Sequence, residues 1–276
     1  MNRMMTAAFA IAFFGAGACN QQPTADANVE APAAEAGSID GTWVADLGTV
    51  KFEQAPEEFA LKGGVYSCAT CLPPIANFAA DDAFHPIADR PTYDSMSVTQ
   101  VDAQSVKFVR RKGDKEAGNN SLTVSADGKT LTNKYTTLDN ANGKATSGET
   151  TLTRVGEPVA GAHAVSGKWA VDSVGNISPE ALTGTYKVDG DVLMSTAATG
   201  ESYAAKLDGS ETPIKGAADG SVVSAVREGG GYKLTFRRGG KVISEQSVTP
   251  SEGGTLATMS FDPRDKSKVS WTARRQ

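Results

Sequence analysis

One stretch of the sequence occurs twice, and this duplication constrains the fold more than any other feature. The first copy reads Val106-Lys-Phe-Val-Arg-Arg-Lys-Gly-Asp-Lys115, and the second reads Tyr232-Lys-Leu-Thr-Phe-Arg-Arg-Gly-Gly-Lys241. Lys107 and Lys233 lie 126 positions apart, and seven further identities follow at the same offset without a gap. Flanking matches extend each copy to about 110 residues, the size of a domain rather than of a solenoid repeat. The sequence therefore predicts two homologous domains.

Within each copy the residue pattern is that of short β-strands. Segments such as 130–138 and 183–188 are rich in β-branched and aromatic residues, which favours strands. Asp-Gly pairs, for example Asp127-Gly128, suit tight hairpin turns. Turn signals recur about every 8 to 12 residues, a spacing typical of an antiparallel meander that closes into a sandwich or barrel. The predicted fold class is all-β, with two tandem antiparallel up-and-down β-barrels of about eight or nine strands each.

The first 18 residues have the features of an export signal. A basic residue precedes the apolar segment Ala7–Phe14, and a run of small residues ends at Ala18. Residues 1–18 are therefore predicted to be a signal peptide. Small residues directly before Cys19 resemble the lipobox of bacterial lipoproteins, which implies that Cys19 is acylated and anchors the chain to a membrane. Plain secretion is the alternative, because Ala16-x-Ala18 also suits ordinary signal peptidase.

The signal peptide is followed by a segment without the residues needed for a core. Residues 19–38 are mainly Ala, Pro, Asn and acidic residues and are predicted to be a disordered tether. Asn20 resembles the sorting pattern of Gram-negative lipoproteins, which implies an outer-membrane anchor facing the periplasm, or otherwise a periplasmic protein. The two barrels are expected at 39–156 and 165–276, with the joint at 157–164. A net charge of -5 argues against nucleic acid as a partner.

Each copy opens with a G-x-W motif and closes with a strand that carries arginine. Gly41-Thr-Trp43 and Gly167-Lys-Trp169 open the two copies. These motifs, at the start of an up-and-down meander, resemble those of lipocalins and related calycins. The resemblance implies that each tryptophan plugs a barrel floor under a basic residue, which assigns Arg154 to Trp43 and Arg274 to Trp169. Simple core packing is the alternative role of both tryptophans, since an indole buries a large apolar area.

The copies differ most between residues 66 and 92, where the first copy alone carries Cys68-Ala-Thr-Cys71. A local disulfide is the default in an exported protein. The alternatives are a soft metal ion such as Cu(I), with His85 or Met96 completing its ligands, and a thiol–disulfide exchange site. Exchange is the least favoured, because no helix that would lower the thiol pKa is predicted after the motif.

Two further resemblances rest on this loop. The tandem arrangement with a cysteine-bearing loop resembles a group of proteobacterial lipoproteins that brings no established activity. The Cys-x-x-Cys-x-Pro pattern from Cys68 resembles the N-terminal domain of an enteric outer-membrane lipoprotein linked to copper tolerance and envelope-stress signalling. That second resemblance implies a metal- or redox-responsive module that uses Cys68 and Cys71.

Residues typical of catalysis are scarce. The chain has two histidines, His85 and His163, and no G-x-S-x-G or H-E-x-x-H pattern, so no Ser-His-Asp or metallohydrolase constellation is predicted. The basic runs Arg110-Arg-Lys112 and Arg237-Arg238 flank turns and are expected to solvate strand edges. We expect a non-enzymatic envelope lipoprotein, without a cofactor, that binds a small apolar ligand or a partner protein. The alternatives are the metal- or redox-responsive module and a structural envelope protein without a ligand.

Overall fold

The computed structural model describes residues 37–251 and 253–276, which form almost only β-strands and confirm the predicted fold class. The predicted signal peptide, Cys19 and the tether up to residue 36 lie outside the described residues. No helix in the described ranges is long and apolar enough to cross a membrane.

A 3₁₀ helix, η1, occupies Pro179–Ala181. The strands are β1 (Gly41–Glu53), β2 (Glu57–Lys62), β3 (Val65–Cys68), β4 (Ile75–Ala79), β5 (His85–Pro86), β6 (Ser95–Gln100), β7 (Ser105–Lys112), β8 (Lys115–Val124), β9 (Thr130–Thr137), β10 (Thr146–Val155), β11 (Gly167–Gly175), β12 (Thr183–Asp189), β13 (Val192–Ala197), β14 (Ser202–Lys206), β15 (Thr212–Pro213), β16 (Val222–Glu228), β17 (Gly231–Arg238), β18 (Lys241–Pro250), β19 (Thr255–Asp262) and β20 (Ser267–Arg275).

The strands form two ten-stranded antiparallel sheets with one topology. The first sheet has the order β4-β3-β2-β11-β10-β9-β8-β7-β6-β5, and the second has the order β14-β13-β12-β1-β20-β19-β18-β17-β16-β15. Each sheet curls into a nearly closed barrel. The first barrel comprises residues 57–175, and the second barrel comprises residues 41–53 and 183–276. Isolated bridges such as Ser202 with Lys215 span the open side of the second barrel, which leaves little of its sheet edge unpaired.

The two barrels exchange their first strands. Strand β1 belongs to the first sequence copy, yet it pairs with β12 and β20 of the second barrel. Strand β11 belongs to the second copy and pairs with β2 and β10 of the first barrel. The connector 54–56 carries the chain from β1 in the second barrel to β2 in the first. It ends in a proline, which restricts the preceding residue to extended backbone. The expected barrels at 39–156 and 165–276 therefore differ from the observed ones by one strand each.

Each barrel encloses its own apolar core. Strand β2 alternates buried and exposed residues without a break, the period-two pattern of a strand with one face inside. Trp169 lies in the core of the first barrel, and Trp43 lies in the core of the second. The exchange of strands thus also exchanges the two tryptophans between the cores.

Trp169 closes one end of the first barrel under Arg154. The indole N–H donates to the Val165 carbonyl oxygen at 2.9 Å, and the Arg154 guanidinium carbon lies 4.0 Å from the centre of the indole. The guanidinium group also donates to three backbone carbonyl oxygens, among them that of Ser166 at 2.9 Å. A Cβ atom at Gly167 would lie 2.9 Å from Arg154 Nη1, and φ there is +123°. The positive φ therefore favours glycine at this position of the G-x-W motif, and the guanidinium group of Arg154 would have to shift to admit a side chain there.

The second barrel repeats this arrangement with Trp43 and Arg275, and here the structure corrects the sequence comparison. The Arg275 guanidinium carbon lies 4.7 Å from the centre of the Trp43 indole. The side chain of Arg274 is instead 74% exposed and contacts Asp46 at 2.8 Å. Aligning Arg154 with Arg274 is one residue out of register, and such a slip moves a strand side chain to the opposite face. The expected pairing of Arg154 with Trp43 is also replaced, because the strand exchange brings Trp169 to Arg154.

Candidate functional site

A group of polar side chains lies inside the first barrel, and we call it the polar cluster. Its members are Glu57, Tyr66, Arg90, Tyr93 and Arg110, whose exposed fractions range from 1% to 5%. Charged residues are rarely buried to this degree unless they are paired. The burial of these charged side chains is therefore not explained by a contribution to the stability of the fold, which makes the polar cluster the candidate site.

Three strands and one loop deliver these side chains. Glu57 opens β2, Tyr66 lies on β3 and Arg110 lies on β7, whereas Arg90 and Tyr93 lie in the segment between β5 and β6. The expectation that the basic run at residues 110–112 solvates a strand edge is wrong for its first member. Strand β7 alternates buried and exposed positions, so Arg110 points inward.

Arg110 is held by a chain of side-chain hydrogen bonds. Its Nη1 donates to Asn120 Oδ1 at 3.1 Å, and Asn120 Nδ2 donates to Asn133 Oδ1 at 3.1 Å. The Arg110 guanidinium carbon lies 6.0 Å from the centre of the Tyr93 ring. Arg110 Nη2 is shielded from solvent and has no hydrogen-bond partner. The guanidinium group is therefore oriented, yet one of its donors is left without an acceptor.

Arg90 is satisfied even less completely. Its Nη2 donates to the Pro73 carbonyl oxygen, but Nε and Nη1 are shielded from solvent without a partner. The Tyr66 hydroxyl is also unpartnered, while its ring packs edge-on against Phe108 with centres 5.0 Å apart. A buried polar group without a partner costs about 1–3 kcal/mol, and more when it is charged. Burying these groups in the first barrel is therefore unfavourable unless a further acceptor meets them.

Burial dominates the electrostatics of the polar cluster. It lowers the pKa of both Arg90 and Arg110, and the neighbouring phenol of Tyr93 acts in the opposite direction. Burial also raises the pKa of Tyr66, and the charge of Glu57 raises it further. Guanidinium groups nevertheless stay protonated in proteins, and the raised pKa keeps the Tyr66 phenol neutral. The interior of the first barrel therefore holds two cations against the single carboxylate of Glu57.

The two cysteines of the loop form a disulfide that borders the polar cluster. Cys68 and Cys71 are bonded to each other and are buried. Within the loop they close, Thr70 Oγ1 donates to Glu57 Oε2 at 2.9 Å. Two residues beyond Cys71, the Pro73 carbonyl oxygen accepts the bond from Arg90. The disulfide loop thus contacts the carboxylate of Glu57, and the residues directly after it contact the guanidinium group of Arg90. As a disulfide the pair has no thiolate to offer a metal ion, and the described residues contain no group of three or more His, Cys, Asp or Glu side chains that is arranged to hold one.

The histidines have other partners. His85 Nε2 lies 2.8 Å from Asp81 Oδ1, a contact that lowers the pKa of Asp81, and the imidazole packs edge-on against Phe78. His163, in the joint, bonds the Asp102 carbonyl oxygen through Nε2 at 2.6 Å. Neither contact is a catalytic arrangement of a base with a nucleophile. Met96 is buried on β6 opposite His85.

The second barrel provides an internal reference for the polar cluster, because the strand registers define equivalent positions. Tyr66 pairs with Leu61 as Leu193 pairs with Val188. Arg110 pairs with Met96 as Phe236 pairs with Val223, and Glu57 pairs with Trp169 as Gly184 pairs with Trp43. The second barrel therefore replaces these three members of the polar cluster by Leu193, Phe236 and Gly184. By the same registers, Ser195 takes the position of Cys68.

Sequence reasoning identified the cysteines but missed the polar cluster. The available signal was the stretch between residues 66 and 92, in which the copies differ most and which contains Tyr66 and Arg90. Arg110 carried no comparable signal, because it lies in a basic run at a turn. Glu57 was hidden as well, since a lone acidic residue at the start of a strand is usually exposed.

Comparisons with known proteins do not assign the chain to a family. No family model matches the sequence, and no curated protein matches it. Among solved structures, the chain is similar to the crystal structure of BamB from Moraxella catarrhalis, with 10% sequence identity and a TM-score of 0.13. The similarity covers 81% of this chain and 98% of that chain. A TM-score this low carries no argument about fold or function.

Proposed function

We propose that the protein is a non-enzymatic binding protein of the cell envelope, whose first barrel takes up a small and mostly apolar ligand. The observation that carries the proposal is the difference between the barrels at equivalent positions. The second barrel builds the same fold with Leu193 and Phe236 in place of Tyr66 and Arg110. Because the fold does not require the polar residues, they are best explained by a ligand.

The apolar residues that share the interior of the first barrel with the polar cluster suit the apolar part of such a ligand. Binding sites for small molecules are lined mainly by apolar and aromatic side chains, with a few polar groups that fix orientation. An eight-stranded barrel is already wide enough for one small ligand, and each barrel here has ten strands. The apolar residues of the first core include Phe59, Leu61, Val98, Phe108 and Leu122.

An uncharged fluorescent probe, N-phenyl-1-naphthylamine, tests this proposal on the purified full-length protein. We expect one probe per chain, measured by fluorescence titration and native mass spectrometry, with hydrogen-exchange protection confined to residues 57–175. Tyr66→Leu, which installs the residue of the second barrel, should alter the affinity, and the reciprocal Leu193→Tyr should not. Absence of any bound probe, or two equal sites per chain, would refute single-barrel binding.

The envelope location is the second part of the proposal and concerns the N-terminal region. It rests on the export pattern before Cys19, which implies a lipid anchor, placed in the outer membrane by Asn20. Multiple acyl chains hold a protein stably on a membrane, since each buried CH₂ contributes about 0.8 kcal/mol. We expect the intact mass to show a mature chain that begins with acylated Cys19, and Cys19→Ser to move the protein to the soluble fraction. A mature chain with an unmodified cysteine contradicts the anchor.

A redox-responsive module is the second candidate function, and one observation favours it. The loop closed by Cys68 and Cys71 contacts Glu57 through Thr70, and Pro73, two residues beyond Cys71, contacts Arg90. Reduction by a dithiol would free this loop and with it the two charges. If the protein responds to redox state, treatment with dithiothreitol should change probe affinity about tenfold, whereas Cys68→Ser with Cys71→Ser should bind identically with and without the reductant. Equal affinities of the oxidised and reduced native protein exclude this candidate.

A further inference from the structure

We propose that the ligand of the first barrel carries an oxyanion, either a carboxylate or a phosphate monoester, and that Arg90 and Arg110 bind it. This inference rests on the proposed function and narrows the ligand from a small apolar molecule to an anionic amphiphile. The polar groups that lack partners in the first barrel determine the class of ligand.

The unsatisfied groups around this site are donors. Arg90 Nε, Arg90 Nη1 and Arg110 Nη2 are shut off from solvent without a hydrogen-bond partner, and a guanidinium nitrogen can only donate. The unpartnered Tyr66 hydroxyl can donate as well. A ligand that completes this set must therefore bring acceptors. Carboxylates and phosphates offer several lone pairs in the geometry that guanidinium groups bind best.

The charges of the surroundings point to the same class. Glu57 is the buried carboxylate of the cluster, and its oxygens already accept bonds from Gln54 Nε2 at 3.1 Å and Thr70 Oγ1 at 2.9 Å. The acidic groups that act on the two arginines are Asp89, Glu116 and Asp139. Their side chains lie at the surface, although burial raises the pKa of Asp139 beside Arg110. The interior of the first barrel therefore holds two buried guanidinium groups and one buried carboxylate whose oxygens already accept hydrogen bonds, and the oxyanion of a ligand would add a buried acceptor of opposite charge.

Tyr93 links the two arginines into one site. Its ring centre lies 6.0 Å from the Arg110 guanidinium carbon. Burial raises the pKa of Tyr93, and the positive charges of Arg90 and Arg110 both act against that rise. The donors come from β3, from β7 and from the segment between β5 and β6, so a head group between them would be reached from three directions. The unpartnered nitrogens of Arg90 do not touch solvent, so a ligand reaches them only if part of the barrel around them moves.

The second barrel does not share this chemistry. Phe236 and Leu193 occupy the positions of Arg110 and Tyr66. The residue after Phe236 on β17 is Arg237, whose guanidinium group donates to Ser224 and contacts Glu211. An anionic ligand should therefore bind one barrel and not the other. Comparing the two barrels therefore distinguishes a general affinity of such barrels for apolar chains from recognition of the anionic head group by the first barrel.

The test compares ligands of one chain length on the full-length, oxidised protein. Dodecanoate, dodecyl phosphate and 1-dodecanol are titrated by displacement of N-phenyl-1-naphthylamine. We expect at least one of the two anions to bind about tenfold to hundredfold more tightly than the alcohol, the gain from charge-assisted hydrogen bonds. A preference between the anions identifies the source of the oxyanion, a carboxylate or a phosphate.

Variants assign the preference to the arginines. Arg90→Gln and Arg110→Gln should each reduce anion binding toward the level of 1-dodecanol, and should weaken the binding of 1-dodecanol less than that of the anions. Arg111→Gln is the matched control, because it removes the same charge from the next residue of β7, whose side chain is exposed and stacks on Phe84 at 3.7 Å. If either cluster variant fails to fold, the ligand comparison on the native protein decides alone.

The outcomes separate this inference from the proposed function. Equal binding of the alcohol and both anions to the native protein overturns the oxyanion site and leaves the proposed apolar binding intact. An anion preference that survives both arginine variants overturns the assignment to Arg90 and Arg110. Failure of the protein to bind N-phenyl-1-naphthylamine or any of the three ligands overturns the proposed function itself.

Discussion

The two barrels share one topology but fill their interiors differently. Both have ten strands in the same order and an arginine-covered tryptophan at one end. The first barrel adds the buried charges of Glu57, Arg90 and Arg110, whereas the second has an aromatic residue, Phe236, where Arg110 would lie. The architecture is therefore specified by the elements the barrels share, and a separate role is expected for those they do not share.

The largest effect that tests this comparison concerns the exchanged tryptophans. Trp43→Ala and Trp169→Ala should each lower the free energy of unfolding by about 3–5 kcal/mol, because each removes a fully buried indole. The exchange predicts that Trp43→Ala weakens hydrogen-exchange protection in residues 183–276 and Trp169→Ala weakens it in residues 57–155. If Trp43→Ala instead loosens residues 57–155, each barrel contains its own copy's first strand and the exchange is refuted.

The duplication, the β class and the paired barrels follow from the sequence, because strand and turn patterns are local and the repeat is gap-free. The strand exchange does not follow from it. Strands β1 and β11 are homologous, so either fits either barrel, and an alignment reports only their homology. The slip from Arg275 to Arg274 has a similar cause, since the last strands contain few identities to fix the register. The inward orientation of Arg110 does not follow from the sequence either. An arginine in a basic run beside a turn is expected on the exposed face of its strand, and only the structure shows that it lies on the buried face.

Alkaline pH compares the barrels through their buried phenols. Burial raises the pKa of Tyr66, Tyr93 and Tyr135 in the first barrel and of Tyr186 and Tyr203 in the second. Above about pH 10 the unfolded chain releases these protons and the folded chain keeps them. Their contribution is therefore complete below that pH and is lost as pH rises, by about 1.4 kcal/mol per pH unit for each phenol.

With three such phenols against two, the first barrel should be the more sensitive to alkali. Near-ultraviolet phenolate absorbance, followed together with circular dichroism and hydrogen exchange, checks this. We expect the phenols with raised pKa to ionise only as the strands unfold, with residues 57–175 losing protection first. Ionisation of Tyr66 or Tyr93 in a barrel that keeps its circular dichroism would show that the interior admits water.

The disulfide gives a smaller and more local difference. Cys68→Ser with Cys71→Ser opens a loop of only a few residues, so the loss should be about 2 kcal/mol. Because Thr70 and Pro73 contact Glu57 and Arg90, exchange protection should fall around residues 70–94. Protection of the second barrel, which has Ser195 at the position of Cys68, is the control and should not change. Uniform loosening of both barrels would indicate that the disulfide supports the whole chain and not this site.

The smallest expected effect differs in sign between the barrels. Tyr66→Phe removes a buried hydroxyl without a partner and should leave stability unchanged or raise it by up to about 1 kcal/mol. Tyr232→Phe in the second barrel removes a hydroxyl that accepts a bond from Arg227 at 3.0 Å and should lower stability by about 1 kcal/mol. Denaturant unfolding of both variants measures the two changes. A loss on Tyr66→Phe equal to that on Tyr232→Phe would mean that the Tyr66 hydroxyl is already satisfied, and it would not be a donor awaiting a ligand.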